Sequence, residues 1–256
     1  EKAIADAMAL VNESINYASR IQRSVLPDET LFGSIFKEYF IIWEPRDVVG
    51  GDIYWANMWG NGVVMVLGDC TGHGVPGAFM TLITTGAMDR ALADTKEGNV
   101  GDFLQHIHQM VQVTLGQHGQ NGESDDGMEL GVCYFAPDGN IMHFSSARFD
   151  LFLVENGEIT VIKPTKSGIG YRGIPFDQEY SEHHINLMEG QAIYMTSDGL
   201  LDQVGGERGR MFGKKRFKKL LLDVQDISMS EQKQAIHQAL IEYQGSENRR
   251  DDVAVM

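Results

Sequence analysis

Four aspartates stand where short apolar runs begin or end, a position from which carboxylates can bind a cation. Asp52 follows a glycine pair in GGDIYW, Asp69 follows VVMVLG, Asp198 ends YMTSD, and Asp251 precedes DVAVM. If these strand ends meet at one edge of a sheet, unpaired like charges cost on the order of several kcal/mol each. Oxygen-only ligands select hard ions such as Mg²⁺ or Mn²⁺ over zinc. Any one Asp beside a glycine is more typical of a turn, but the set of four predicts a divalent metal site.

The stretch GDCTGHG, residues 68–74, holds two other side chains that can do chemistry. Cys70 lacks the helix N-terminal position and the basic neighbours that lower the pKa of a thiol. His73 is interpreted as a residue that caps or shapes the turn into the following helix. This stretch lacks the Lys-Ser/Thr pair that ends a Walker A loop, which argues against a nucleoside triphosphatase.

The secondary-structure elements that must position these residues are predicted to follow one another along the chain as β-hairpins and as consecutive helices. Tight turns are predicted at GNG (60–62), DG (138–139) and NG (156–157). Strands are predicted near 39–43, 53–59, 63–68, 128–136, 140–146, 149–155, 158–162, 191–197 and 252–256, and helices near 76–93, 100–116, 213–224 and 230–243. This order predicts an α+β fold with antiparallel sheets rather than a parallel βαβ fold.

Residues 1–26 are predicted to form a separate linker helix with a coiled-coil-like pattern, followed by one domain over 27–256. The seam repeats at alternating spacings of four and three and ends before Pro27, and it comprises Ile4, Met8, Val11, Ile15, Ala18, Gln22 and Val25. Two interpretations stay open. The helix either packs on its own domain, or it joins two copies of the chain or transmits a signal.

Composition excludes some classes of function. The net charge of −15 disfavours binding to nucleic acid phosphates. No apolar run approaches the roughly 18 residues that a membrane span needs, and the two cysteines give neither a disulfide framework nor a zinc spacing. A soluble protein of a reducing compartment is the expectation.

Six motifs in order resemble the SpoIIE-like branch of the metal-dependent Ser/Thr protein phosphatases, the PPM family, over roughly residues 18–256. They are IQRSVLP, EPRDVVGGDIYW, LGDCTGHGVPGAFM, YMTSDGLLDQ, MFGKKRF and RRDDVAVM. The resemblance implies a β-sandwich of two antiparallel sheets flanked by antiparallel helix pairs, in the order αββα.

The resemblance also implies a site with two Mg²⁺ or Mn²⁺ ions. Asp69 would bridge both ions and the backbone carbonyl of Cys70 would bind one, while Asp198 and Asp251 would hold the other. Asp52 would contact a metal through water and orient the nucleophile, which makes Asp52 and Asp69 the catalytic pair. The neighbouring Asp252 is the alternative to Asp251.

The implied mechanism is direct attack of a metal-activated water on the phosphorus of phosphoserine or phosphothreonine. Cys70 and Thr71 would then be spectators. Arg46, six residues before Asp52, is a candidate to bind the substrate phosphate in a bidentate manner, with a plain surface arginine as the alternative.

Two segments depart from the pattern or add to it. Where many relatives read AGHNP, this chain reads SSARFD (145–150), so Asp150 is displaced from the position of a third-metal ligand in eukaryotic relatives. Residues 208–219 concentrate seven basic side chains in an acidic protein. That segment is either a solvated helix face or a docking site for an acidic partner.

The resemblance implies a phosphorylated STAS-domain protein of a partner-switching pathway as the substrate, with regulation through the N-terminal helix. The spacing of the seam, not the resemblance, makes a homodimer through residues 4–25 the further expectation. We expect a cytoplasmic domain that forms the C-terminal part of a membrane-anchored protein. The competing hypotheses are a non-catalytic module that binds partners, and a metal-dependent phosphodiesterase.

Overall fold

The computed structural model describes residues 2–119 and 124–256. The helices are α1 (Lys2–Val25), α2 (Glu29–Ile35), α3 (Gly74–Asp94), α4 (Val100–Thr114), α5 (Asp198–Asp202), α6 (Gly213–Val224) and α7 (Met229–Gln244). The strands are β1 (Ile42–Glu44), β2 (Asp52–Trp59), β3 (Gly62–Cys70), β4 (Met128–Phe135), β5 (Ile141–Ala147), β6 (Leu151–Glu155), β7 (Glu158–Ile162), β8 (Glu182–Asn186), β9 (Ala192–Tyr194), β10 (Val204–Gly205), β11 (Arg210–Met211) and β12 (Val253–Val255).

Two antiparallel sheets make up a sandwich. The main sheet has five strands in the order β2-β3-β4-β5-β8. In the second sheet, β7-β6-β9 continues into the pair β12-β1, because Thr196 bridges Val255 and Met195 exchanges backbone hydrogen bonds with Met256 at 2.9 and 3.0 Å. The expected sandwich of two antiparallel sheets is confirmed.

The alternation of side chains along a strand divides the core into layers. On β3, Val64 and Val66 pack in the cluster that includes residues of α3 and α4, whereas Leu67 packs between the two sheets. On the far side of the second sheet, Leu221 of α6 and Leu240 of α7 share a third cluster with its strands. The layers therefore run helices, sheet, sheet, helices, which confirms the αββα order.

The predicted helices, strands and turns are confirmed where the apolar residues repeat regularly and where the turns contain residues that favour them. The hairpin β2–β3 turns at Gly60, whose φ is 61°, and pairs Trp59 with Gly62. The short helices α2 and α5 and the edge strand β8 are elements that the sequence prediction lacked, since none carries a long periodic pattern. Within the described ranges, we find no helix with the length and apolarity that crossing a membrane requires.

Among the described residues, helix α1 contacts the domain through its C-terminal part. Gln22 is buried there, and its Nε2 donates to the carbonyl oxygen of Gly50 at 2.6 Å and to Thr81 Oγ1 at 3.1 Å. Further towards the N-terminus, Ile4, Met8 and Val11 are exposed by 66, 64 and 56%. The first half of the seam therefore does not pack on its own domain, and the division into residues 1–26 and 27–256 stays a prediction.

Candidate active site

The strand registers bring the aspartates to one edge of the sandwich. Asp52 and Asp69 are direct cross-strand partners at the ends of β2 and β3. Asp198 is the first residue of α5, shortly after β9. Asp251 lies two residues before β12, which runs alongside the segment that follows β9. Two carboxylates therefore come from each sheet.

Asp52 is the most enclosed of the four, with 2% of its surface exposed. Ser197 Oγ donates to Asp52 Oδ2 at 2.6 Å, and it accepts from the backbone N–H of Ala254 at 2.9 Å. Burial raises the pKa of Asp52, the bond from Ser197 opposes this, and repulsion by Asp252, Asp198 and Asp251 adds to the rise.

Asp69 and Asp198 repel the other members of the cluster in the same way. Burial raises the pKa of Asp69, followed by the charges of Asp52, Asp198 and Asp251. The pKa of Asp198 is also raised by burial and then by Asp251, while a hydrogen-bond contact with Asp69 lowers it. All four carboxylates therefore interact electrostatically within one site.

Asp251 and Asp252 have different surroundings. Asp252 is buried, and its two carboxylate oxygens accept the backbone N–H groups of Arg46 and Gly51 at 2.6 Å each. Both oxygens of Asp252 thus hold the loop that enters β2. Among the residues that the structure describes, Asp251 accepts a hydrogen bond only from the N–H of Asp252, at 2.9 Å, and its charge raises the pKa of Asp198.

Two glycines allow the backbone segments of the site to approach closely. A Cβ on Gly51 would lie 2.7 Å from the carbonyl oxygen of Cys70 and 2.4 Å from that of Gly72. A Cβ on Gly199 would lie 1.8 Å from the carbonyl oxygen of Asp252. No side chain fits at either position, so glycine is required where the aspartate-bearing segments meet.

Cys70, Thr71 and His73 occupy positions consistent with non-nucleophilic roles. Burial raises the pKa of the Cys70 thiol, whose Sγ lies 3.4 Å from Thr84 Oγ1. Thr71 Oγ1 donates to the carbonyl oxygen of Gly127 at 3.0 Å. His73 is the N-cap residue of α3 but makes no side-chain capping bond. Its ring instead lies 3.3 Å from Asp47 Oδ2, so it shapes the rim of the site and does not cap the helix.

Arg46 lies at the same rim. Its Nη2 donates to Asp47 Oδ2 at 2.9 Å and contacts His73 Nδ1, and its Nη1 donates to the carbonyl oxygen of Arg250 at 3.2 Å. Its side chain is 25% exposed. The guanidinium is therefore held beside the segment that carries Asp251.

Asp150 belongs to a separate ion-paired group. Its carboxylate accepts from Lys214 Nζ at 2.7 Å and from Lys163 Nζ at 3.3 Å. Two lysines satisfy its charge, which leaves it poorly suited to a third metal ion. Two of the basic side chains of segment 208–219 form ion pairs within the chain, Lys214 with Asp150 and Lys219 with Asp223.

The aspartate cluster has no cationic partner within the described ranges. None of the ion pairs found there involves Asp52, Asp69, Asp198, Asp251 or Asp252. No three of these carboxylates bring one oxygen each within 4.8 Å of one another in the described part of the chain. The oxygen-only donor set, with its uncompensated charge, fits hard divalent cations.

Two residues near the site, Ser197 and Glu129, were not anticipated from the sequence, and Asp252, the alternative ligand to Asp251, has a structural role that the sequence did not indicate. Ser197 and Asp252 hold the ends of the strands through hydrogen bonds, and Glu129 is the cross-strand partner of Asp69 on β4. Burial raises the pKa of Glu129, while Arg148 lowers it. Ser197 lies in the TSD stretch of a recognised motif, and that motif was the signal that could have pointed to it.

Comparisons with known proteins agree with this arrangement. The family described as Stage II sporulation protein E (SpoIIE) matches residues 60–256. The chain is similar to the SiaA-PP2C domain of Pseudomonas aeruginosa at 33% identity and a TM-score of 0.88, over 98% of this chain and 97% of that one. No curated protein matches the chain significantly.

More distant structures share the fold. The RsbU and RsbW domains of Rv1364c from Mycobacterium tuberculosis are 19% identical with a TM-score of 0.66, over 84% of this chain and 57% of that one. The catalytic domain of the serine/threonine phosphatase PstP, in complex with two manganese ions, is 18% identical with a TM-score of 0.58, over 85% of this chain and 95% of that one. The family match covers most of the sequence, and the chain therefore belongs to the SpoIIE-like branch of the PPM protein serine/threonine phosphatases.

Proposed function

We propose that this chain removes phosphate from phosphoserine or phosphothreonine on a partner protein with the help of two Mg²⁺ or Mn²⁺ ions. The observation that carries the proposal is the convergence of Asp52, Asp69, Asp198 and Asp251 without a cationic side chain to offset their charge. When bound, the two ions supply a water activated at neutral pH and stabilise the charge on the phosphoryl oxygens.

Each residue of the site has a role in this proposal. Asp69 would be a ligand shared by both ions, the carbonyl oxygen of Cys70 would bind one of them, and Asp198 and Asp251 would hold the other. The close approach of Gly51 to the Cys70 carbonyl supports a backbone ligand there. Asp252 is not assigned as a ligand, because both of its oxygens already accept backbone N–H groups.

Asp52 and Arg46 act on the reactants. Ser197 holds one oxygen of Asp52. The other oxygen would accept a hydrogen bond from the attacking water and would contact a metal through water. Arg46 binds the substrate phosphate by exchanging its bond with Asp47 for a charge-assisted bond to a phosphoryl oxygen.

The substrate in this proposal is a phosphorylated STAS-domain protein of a partner-switching pathway. The membership in the SpoIIE-like branch supports this choice, as does the shared fold with the RsbU and RsbW domains of Rv1364c.

The N-terminal helix joins two copies through residues 4–25 and regulates the site. Its exposed seam and the bond from Gln22 to Gly50, two residues before Asp52, support that role. The cytoplasmic location and an anchor in the membrane stay predictions.

The test is phosphate release from a phosphoserine peptide and from a panel of phosphorylated STAS-domain proteins. We expect turnover with Mn²⁺ or Mg²⁺, none with EDTA, and a loss of at least about a hundredfold for Asp69→Asn, which corresponds to about 2.7 kcal/mol. Asp138→Asn, in the hairpin turn between β4 and β5, is the matched control and should keep full activity. Activity that survives both EDTA and Asp69→Asn would falsify the proposal.

The same assay separates the competing hypotheses. Tight binding of a phosphorylated partner without turnover would favour a non-catalytic module. Hydrolysis of phosphate diesters but not of monoesters would favour a phosphodiesterase.

A further inference from the structure

A second group of metal-ligating side chains lies at the outer edge of the main sheet. His143 on β5 and His184 on β8 are direct cross-strand partners. Glu182 precedes His184 by two residues on β8, so its side chain projects from the same face of the sheet. None of the three is among the groups that shift the pKa values of the aspartate cluster.

The ligand atoms of this group are already close together. One ring nitrogen from each histidine and one carboxylate oxygen of Glu182 lie within 4.8 Å of one another. Glu182 Oε1 is 2.6 Å from His184 Nε2 and 3.8 Å from His143 Nδ1. The two imidazole rings stack with centroids 4.2 Å apart and an interplanar angle of 10°.

We propose that His143, Glu182 and His184 form a zinc-type metal site separate from the aspartate centre. Two imidazoles and a carboxylate are ligands that suit Zn²⁺, whereas the oxygen-only aspartate cluster suits Mg²⁺ or Mn²⁺. In a tetrahedral site with bonds of about 2.0–2.1 Å, ligand atoms lie about 3.3 Å apart. The three atoms therefore need only side-chain rotations to reach that separation, and a water completes the fourth position.

The surrounding hydrogen bonds orient two of the ligands. Glu182 Oε2 accepts the backbone N–H of Gly101 at the start of α4, at 3.1 Å. His143 Nδ1 lies 2.7 Å from the carbonyl oxygen of Gly98, to which it donates when it carries the proton. A cation bound at Nδ1 displaces that proton, so the metal competes with the turn between α3 and α4 for His143.

The experiment is a calorimetric titration of Zn²⁺ into the tag-free full chain, with excess Mg²⁺ present to occupy the aspartate centre. We expect one zinc equivalent per chain, which His143→Ala and His184→Ala each abolish. His183→Ala is the matched control, because His183 lies on the same strand with its side chain on the opposite face, and it should leave the titration unchanged. His184 is 63% exposed at its side chain, so its replacement leaves the fold intact.

A second readout locates the ion. Zinc should shift the imidazole NMR signals of His143 and His184 and leave those of His183 in place. Retention of the zinc equivalent in both His143→Ala and His184→Ala overturns the proposal. So does loss of the equivalent in Asp69→Asn alone, which would place the zinc in the aspartate centre. Because the readout is binding, the result is independent of whether the chain is an active phosphatase.

Discussion

Ser197 connects the two sheets of the sandwich through Asp52. Its hydroxyl donates to Asp52 Oδ2 at 2.6 Å and accepts the backbone N–H of Ala254, on β12, at 2.9 Å. Asp52 belongs to the main sheet, whereas Ala254 belongs to the second sheet. One buried hydroxyl thus fixes the position of a carboxylate at the edge where both sheets contribute aspartates.

Replacing Ser197 by alanine should lower both stability and activity. The buried N–H of Ala254 loses its side-chain partner and Asp52 loses a donor, which costs about 1–3 kcal/mol in the free energy of unfolding. The hydrogen bond favours the charged form of Asp52. The pKa of Asp52 should therefore rise in the variant, and the acid limb of the pH profile of kcat/KM should move to higher pH. Urea unfolding and a pH profile at saturating Mn²⁺ measure the two effects.

Ser146→Ala provides the matched control for this prediction. Ser146 is as deeply buried as Ser197, but within the described ranges its Oγ has no hydrogen-bond partner. Its removal should leave the pH profile in place. An acid limb that stays unchanged in Ser197→Ala would show that the hydroxyl does not tune Asp52.

Asparagine substitutions at Asp251 and Asp252 should differ in their effect on the stability of the metal-free protein. Asp252→Asn turns an amide N–H₂ towards a backbone N–H and should cost about 1–3 kcal/mol in the free energy of unfolding. Asp251→Asn removes one charge from a repulsive cluster and should leave stability in EDTA unchanged or higher. In the same variant, the stabilisation by Mn²⁺ should shrink from the roughly 2.7 kcal/mol expected at a hundredfold excess over Kd.

Thermal unfolding of both variants with and without Mn²⁺ measures these differences. The assignment of Asp251 rather than Asp252 as the metal ligand predicts that only Asp251→Asn loses the response to Mn²⁺ while it stays folded. The reverse pattern would shift the assignment to Asp252.

Sequence reasoning found the residues whose signal is local. Asp52, Asp69, Asp198 and Asp251 stand beside strand ends, and the hairpin at Gly60 follows from the turn residues. These features depend on nearest neighbours along the chain. The order of hairpins and helix blocks predicted an antiparallel α+β fold, whereas the αββα layers were implied by the resemblance of the motifs to a known family. The strand ends could therefore be predicted to carry a site.

Other contacts depend on how distant segments meet. Ser197 and Asp52 are 145 residues apart, and Asp252 and Gly51 are 201 residues apart. No periodicity encodes such pairs, because the pairing exists only after both sheets have closed. Strand β8 was missed for a different reason. It is an edge strand whose residues, EHHIN, are all at least partly exposed. Its sequence therefore lacks the apolar alternation of the inner strands.

Acidification should destabilise the fold through His108 on α4. This histidine is buried, accepts the N–H of Gly170 at Nδ1 at 2.9 Å, and donates from Nε2 to the carbonyl oxygen of Pro175 at 3.0 Å. Burial lowers its pKa. The unfolded chain therefore binds the proton first, and stability that is present above the unfolded pKa of about 6.5 is lost as the pH falls towards the lowered folded pKa.

The check is the free energy of unfolding between pH values above and below that point. His108→Gln should remove part of the slope, because the titrating group is gone, and it should cost stability at neutral pH. His106→Gln, on the same helix but only half-buried, is the control and should keep the slope of the unaltered chain. Equal slopes in all three proteins would exclude His108 as the acid-sensitive group.

A charge in the exposed half of the α1 seam should separate the proposed dimer. Met8 and Val11 are exposed by 64 and 56% against the described part of the chain, so a partner helix is the proposed source of their burial. Val11→Asp places a carboxylate in that interface, where an unpaired charge costs several times more than at a solvated surface. Ala9→Asp is the matched control, since at about 100° per residue it lies on the far side of the helix from the seam. Sedimentation velocity should show Val11→Asp as a monomer and Ala9→Asp as a dimer. A monomeric unaltered chain, or a dimer that Val11→Asp leaves intact, would mean that residues 4–25 do not join two copies.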